Sequence, residues 1–489
     1  MFLPKQRRSL WIGSIIAVFV LIVSFVITLY FFVIASNPAA LLSVPLVQQQ
    51  LVRHVGKDQK NLISAAPTLL GLAAPRTYLL LFLNNTELRP GGGFIGSYAV
   101  VKFNEGRPTI VKVEGTEIID RESDKAALPP PPSVLSNHLK VDRWYFRDSN
   151  WSPDFQESSR QSLALYQAEH GVAASAIDAV VGVTTHVLEE LLEKTGPITV
   201  RGIEFTRDTV IEKLEYEVEY GYEKKGLAFS ERKEILGELF HEIMVRLGSQ
   251  VLTHAPDYAE LIERLAQEKH LMAYAVNPDL SPTFSELGWL GSMTTATSTD
   301  YLLWVDANLA ALKTDHAMRR VLSYEMKPDH AGSFMATTTM TYYHEGRFDW
   351  RTSRYRTYAR VYVPKGSELI SVQGSMKWDR SKESGTIDRG EELEREWFGT
   401  FISLEPGTSK SLSFTYRLPL TVTRAIDQKQ YSLTIPKQLG TGANRLTLDL
   451  NFDTTIRTAQ PAEDEKSWGD SRYQYSTDLR SDRFFYVGF

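Results

Sequence analysis

The chain has 489 residues, of which 43% are hydrophobic and 23% charged, and a formal net charge of −5. That length allows two or three domains, each with its own core. The absence of cysteine excludes disulfides, thiolate zinc sites and cysteine nucleophiles together, and without a Lys/Arg block beyond the N-terminus no nucleic-acid partner is expected.

Lys5, Arg7 and Arg8 precede a stretch from Ser9 to Asn37 that carries no charge. Leu10 to Ile34 is long enough to cross a hydrocarbon core of roughly 30 Å with some tilt. The basic flank orients residues 1–9 as a cytoplasmic tail, 10–34 as a transmembrane helix and the remainder as extracytoplasmic. The expected location is therefore the cell membrane, single-pass. A cleaved signal peptide would have an apolar region of only about 7–15 residues and a small-residue cleavage site, and Val33-Ile34-Ala35 is a poor one.

Residues 35–76 read as a linker with some helical pattern in Leu46, Leu51, Val55 and Leu62. Tyr78 to Leu83 is a continuous apolar run, the signature of a buried strand. Ile95–Phe103 and Ile110–Ile119 are predicted as the next strands, turning at Asn104-Glu105-Gly106. Asp154 is placed to cap a helix that runs to about His170 and stops at Gly171. Val180–Val183 is a short buried strand, followed by a helix ending at Thr195-Gly196-Pro197. Two amphipathic helices follow, carrying Ile235, Leu239, Ile243 and Leu247, then Tyr258, Leu261 and Leu265. Strands and helices thus alternate in an α/β domain over 77–318. From 319 to 489 the period becomes two, as in Tyr358–Val363 and Leu446–Leu450, with no convincing helix between the strands. An all-β, sandwich-like domain is predicted there.

Several stretches together resemble the bacterial and archaeal family catalogued as domain of unknown function 4012. They include Leu83–Ser97 with its Arg89-Pro90-Gly91-Gly92-Gly93, Arg147–Phe155, Thr195–Val200, Gly288–Gly291, Val305–Leu309, Arg360–Pro364 and Tyr416–Pro419. The resemblance implies no activity. The order of elements is also similar, more weakly, to LytR-CpsA-Psr proteins, membrane-anchored phosphotransferases that move glycopolymers from a polyprenyl-phosphate carrier. That similarity implies a LytR-CpsA-Psr-like α/β domain. Ile118-Ile119-Asp120-Arg121 holds the Arg-Asp pair of those proteins in reverse order, and Gly92-Gly93-Phe94 replaces their expected Asp, so no catalytic residue is carried over.

The candidate sites are anionic in preference. Arg89 offers a planar fork of donors and Gly91, Gly92 and Gly93 permit close backbone approach, which suits phosphate. The alternative is a strand-connecting turn in which Arg89 pairs with Glu87 or another acid. Arg147 and Asp148 lie before a helix N-terminus, where anions are favoured. Asp120 and Arg121 follow a predicted strand, at the kind of edge where α/β proteins hold ligands. Asp306, Asn308 and Asp315 have oxygen donors for a hard cation, but their spacing favours turn and cap roles. His241-Glu242 lacks the second histidine of a zinc-protease helix. No metal or cofactor is expected.

Two functions are compatible with these residues. One is a membrane-anchored envelope protein of uncharacterised activity that binds envelope glycan or a protein partner. The other is a LytR-CpsA-Psr-like phosphotransferase on a polyprenyl-phosphate-linked glycopolymer, with arginines on the lipid-linked phosphate and Mg²⁺ held by an Asp.

Overall fold

The computed structural model describes residues 42–55, 59–250, 254–293, 299–329, 332–464 and 466–489. The predicted span over Leu10–Ile34 lies outside the described residues, among which no helix is long and apolar enough to cross a membrane. The described residues of Met1–Thr77 with Val101–Val111 cluster as one compact unit, and Tyr78–Val100 with Lys112–Phe489 as another. In the first, helices Pro45–Val55 and Lys60–Leu69 precede a turn at Gly71. Glu105 donates its N–H to the Gly71 carbonyl at 2.9 Å. A Cβ on Gly71 would meet the Phe103 carbonyl at 2.6 Å, at a φ of +64°, so glycine is required at this approach.

Seven strands belong to the N-terminal half: β1 Arg76–Asn84, β2 Phe94–Asn104, β3 Arg107–Gly115, β4 Ala179–Thr184, β5 Ile198–Val200, β6 Ile203–Phe205 and β7 Leu271–Ala275. Five form one sheet in the order β3-β2-β1-β4-β7, and β5 and β6 make a separate hairpin. β1 and β4 are parallel, Leu79 opposite Val180 and Leu83 opposite Thr184, while β7 runs antiparallel to β4. Apolar residues on β1, β2 and β4 (Leu79, Leu81, Ile95, Tyr98, Val180) share a core with Phe155, Leu165 and Tyr166 of the helix Phe155–Ala168. Asp154 caps that helix by accepting from the Gln156 and Glu157 N–H groups at 2.8 and 3.0 Å. Its second oxygen accepts from the Met293 N–H at 2.7 Å.

The third strand departs from the predicted Ile110–Ile119. β3 ends at Gly115, and Thr116–Glu122 is a helix. Asp120 therefore projects from a helix, on the same face as the buried Thr116 and Ile119. Period-two alternation and one turn of helix are not separable over so short an apolar run.

The C-terminal half is largely β, with β8 Asp300–Tyr301, β9 Leu303–Asn308, β10 Met318–Pro328, β11 Phe334–His344, β12 Tyr355–Pro364, β13 Glu368–Gln373 and β14 Asp388–Glu392. It continues through β15 Arg395–Leu404, β16 Ser409–Arg417, β17 Gln430–Ile435, β18 Arg445–Asn451, β19 Thr458–Gln460, β20 Arg472–Asp478 and β21 Arg483–Gly488. They form three sheets in the orders β13-β16-β11-β10-β18-β20, β14-β15-β12-β9 and β19-β21-β17-β8. β8 and β9, from the segment before residue 319, belong to these sheets. Alternate residues such as Leu322, Tyr324, Met340 and Phe414 turn into one core with Trp304, Val361 and Ile402. On the outer face Thr337 and Thr339 pair their hydroxyls with Thr415 and Ser413 at 3.0 and 2.7 Å, the cross-strand pairing expected of a half-buried face. A helix, Leu420–Asp427, does interrupt the strands. Pro419 precedes it, and Val422 and Ile426, four residues apart, are its buried contacts.

Candidate functional site

β1 ends at Asn84, and the chain turns through Arg89 and the three glycines before re-entering the sheet as β2. The Arg89 side chain is 3% exposed, and the protein uses all of its directions. Nη1 donates to the Asn308 carbonyl at 2.8 Å, Nη2 to Glu87 Oε1 at 3.2 Å, and Nε and Nη2 to Asp148 Oδ1 at 3.4 and 3.3 Å. Burial alone would lower its pKa, but Glu87 and Asp148 outweigh that and hold it above the ordinary arginine value. Burial also acts against the Glu87 carboxylate, yet Lys313 and Arg89 keep its pKa below the usual range.

The glycines are packed against backbone. Gly91 donates its N–H to the Asn150 carbonyl at 3.0 Å, and the Asn150 amide donates to the Gly93 carbonyl at 2.7 Å. A Cβ on Gly93 would sit 2.6 Å from the Asn84 carbonyl carbon, and one on Gly440 would fall 1.9 Å from the Gly92 oxygen. These close approaches explain the glycine run without a ligand.

From Arg89 the charges continue outward. Asp148 also meets Arg147 Nε at 3.5 Å, and Arg147 Nη1 lies 3.3 Å from Asp120 Oδ2. Arg147 is 30% exposed, so this guanidinium, unlike Arg89, is open to solvent. Asp120 is 3% exposed and neither of its oxygens accepts a hydrogen bond. Burial, then the neighbouring Glu169 charge, pushes its pKa well up, and burial raises that of Glu169. Two adjacent buried carboxyls that repel do not both ionise readily. Arg121 stands apart, exposed in the last turn of its helix.

The structure thus brings Arg89, Asp148, Arg147 and Asp120 into one chain of charges, leaves out Arg121, and uses Gly91, Gly92 and Gly93 for packing. Glu169 gave no sequence signal, because it is the residue after the helix Phe155–Ala168 and only the fold turns it toward Asp120. Asp306 and Asp315, whose spacing favoured turn and cap roles over a hard cation, meet through a buried arginine. Both pair with the buried Arg320, whose Nε lies 3.1 Å from Asp306 Oδ2, while Asp315 Oδ2 accepts from the Leu88 N–H at 3.0 Å. A guanidinium fills the place a hard cation would take.

On the other side of the Arg147–Asp154 loop is a cleft of about 290 Å³. Trp144, Trp151, Ser149, Ser152, Glu157, Gln161 and Glu392 line it, and the Ser152 hydroxyl donates to Glu392 Oε1. Trp144 Nε1 donates to the Asp148 carbonyl at 2.9 Å, which fixes the indole. The Trp151 ring lies 5.1 Å from the Arg360 guanidinium, and Arg360 donates to the Trp151 carbonyl at 2.7 Å. Two held indoles therefore line the cleft together with the amide of Gln161 and the carboxylates of Glu157 and Glu392, while the Ser149 hydroxyl pairs with Ser162 at 2.7 Å.

Fold and site together define a mixed α/β protein with several sheets, β-rich in its C-terminal half, that presents an aromatic cleft beside a buried ion network. Residues 73–219 match the family model described as Protein of unknown function (DUF4012), so the family resemblance read from the motifs is shown over that segment. No curated protein matches the chain. Among solved structures, a Legionella pneumophila protein described as a candidate nutrient binding protein is 8% identical, with a TM-score of 0.26 over 39% of this chain and 71% of that one. The M1 zinc metallopeptidase from Deinococcus radiodurans is 8% identical, with a TM-score of 0.18 over 35% of this chain and 42% of that one. Overlap at this level assigns neither a fold nor an activity.

Proposed function

We propose that the protein is a single-pass, membrane-anchored component of the cell envelope whose extracytoplasmic part binds glycan in the Trp144–Trp151 cleft. In this reading the N-terminal half is a LytR-CpsA-Psr-like α/β domain and the C-terminal half a β-sandwich that braces it. The observation that carries the proposal is the pairing of two held indoles with the polar side chains of Glu157, Gln161 and Glu392 in one cleft. A pyranose ring has an apolar C–H face that stacks on an indole, and hydroxyls that need donors and acceptors around the rim. The Trp144 bond to Asp148 links the cleft to the ion network, so the binding face is organised before the ligand arrives.

A second reading has one specific support. Arg147 is the solvent-open cation of the network, and Asp120 and Glu169 behind it are carboxylates of the kind that hold Mg²⁺. A phosphotransferase on a polyprenyl-phosphate-linked glycopolymer would use Arg147 to neutralise the phosphate.

Calorimetric titration of the detergent-solubilised chain with soluble envelope glycan fragments separates these readings. Trp144→Ala is expected to weaken glycan binding at least about tenfold, since hot-spot aromatics contribute about 2 kcal/mol or more, while Arg147→Ala leaves it unchanged. Loss of binding to a polyprenyl-phosphate analogue in Arg147→Ala, with Trp144→Ala neutral, would establish the second reading. Absence of glycan binding by the wild type would end the first.

A further inference from the structure

β1 and β4 run parallel, so the segments after Leu83 and Thr184 emerge at the same edge of the sheet. In open α/β sheets ligands sit outside the carboxyl ends of the strands. Next to β4, β7 begins at this edge, because the two strands are antiparallel with Val183 opposite Leu271. That register sets His186, the second residue of the helix Thr185–Thr195, against Glu268 and His270 in the turn before β7. One donor atom from each of the three residues lies within 4.8 Å of the others, and the two imidazole rings are 4.6 Å apart.

We propose that His186, Glu268 and His270 form a mononuclear site for a divalent transition-metal ion of the zinc type, with three protein donors and a fourth position left for water. The donor set is two imidazoles and a carboxylate, borderline nitrogen and hard oxygen, which suits zinc in a chain without thiolates. Donors on one tetrahedral zinc stand roughly 3.3 Å apart given bonds of about 2.0–2.1 Å, so modest side-chain rotation closes the site.

The second observation is the set of groups behind the histidines. His186 Nδ1 faces Glu189 Oε2 at 2.8 Å, and His270 Nδ1 faces the Thr184 hydroxyl at 2.8 Å. Each contact commits Nδ1 and leaves the Nε2 lone pair as the donor, the arrangement that orients metal-bound histidine. Glu190, also near His186, is held by Arg207 and Arg264 and does not count as a ligand. His186 is 27% exposed, which gives an ion access from solvent. One group competes. The buried Lys437 amine lies 3.3 Å from His270 Nε2 and donates to the Glu268 carbonyl, so it stands where the ion would bind and must swing aside.

The test is zinc titration of the full-length, chelator-stripped chain in detergent, followed by calorimetry and by the visible spectrum of the cobalt-substituted protein. One ion per chain, a raised thermal midpoint and tetrahedral cobalt bands are expected. Thr184→Val should weaken binding about tenfold by releasing the His270 ring, and Lys437→Met should strengthen it by removing the competing amine. His186→Ala, at a part-exposed position, should abolish specific uptake, with circular dichroism of the variant checking that it is folded. If the wild type takes up no zinc at millimolar excess, or if His186→Ala binds as well as the wild type, the site does not exist. Lys437→Met with lower stability and no gain in zinc affinity would make the lysine the permanent internal cation, and would equally overturn the proposal.

Discussion

Arg89 donates to four acceptors, Glu87 and the Leu88 carbonyl beside it and Asp148 and the Asn308 carbonyl far along the chain. Removing its guanidinium leaves Glu87 with only Lys313 and the buried Asp148 with only Arg147 as cationic partners among the described residues. Arg89→Ala is therefore expected to cost about 3–5 kcal/mol, the range for stripping one partner from a buried pair, and a denaturant melt measures it. A loss under 1 kcal/mol would mean that the residue is dispensable to the fold. Asp120 makes a prediction of opposite character. Its pKa is raised from the ordinary 3.8 by burial and by Glu169. Above that pH the unfolded chain gives up a proton that the folded chain keeps, so the stability the protonated form contributes is lost as pH rises toward the folded pKa. The slope is at most about 1.4 kcal/mol per pH unit for one proton. Thermal midpoints between about pH 4 and pH 8 should fall more steeply for the wild type than for Asp120→Asn, and parallel curves would show that the carboxyl is not shifted.

Loops and caps carry the information at the next scale. The glycine run between β1 and β2 is shaped by what lies against it, Asn84, Asn150 and the Leu439–Gly440 segment. Gly440 has a φ of +73° and no room for a methyl group, whereas nothing lies within 4 Å of a Cβ on Gly442 two residues later. Gly440→Ala should therefore destabilise by about 1–3 kcal/mol or more, from strain at positive φ with a backbone clash added. Gly442→Ala should stay within about 0.5 kcal/mol. Similar losses from the two would show that the approach of Gly92 to Gly440 is not maintained. The Asp154 cap was legible because capping acts within four residues. The strand-to-helix change at Gly115 was not, since both conformations bury Ile119.

The sheets of the β-rich half include strands that precede residue 319. β9 is a neighbour of β12, and β8 of β17. Asp300 accepts hydrogen bonds from Tyr324 and Tyr431 at 2.6 and 2.7 Å in a fully buried position. A fragment of residues 319–489 would expose the edge of β12 and strand both tyrosine hydroxyls, each at about 1–3 kcal/mol. A fragment of residues 299–489 should melt cooperatively with a β-type circular dichroism spectrum, and the shorter one should be markedly less stable or aggregate through its open edge. Equal midpoints would support 319 as an independent boundary.

What the sequence determined by itself is what depends on near neighbours. The buried run Tyr78–Leu83, the helix starting after Asp154 and the alternation of Leu446–Leu450 are local patterns of period and capping, and they could be read one segment at a time. The motifs around Arg89 and Arg147 likewise pointed to the family matched over residues 73–219. The tertiary structure alone decided which charges meet. Arg89 with Asn308, Asp120 with Glu169, Asp306 with Arg320 and His186 with His270 are contacts between segments whose separation along the chain has no period. A guanidinium aimed at a phosphate and one closed on two carboxylates have the same sequence. Only the depth of burial and the direction of each side chain, both products of how the sheets pack, distinguish them.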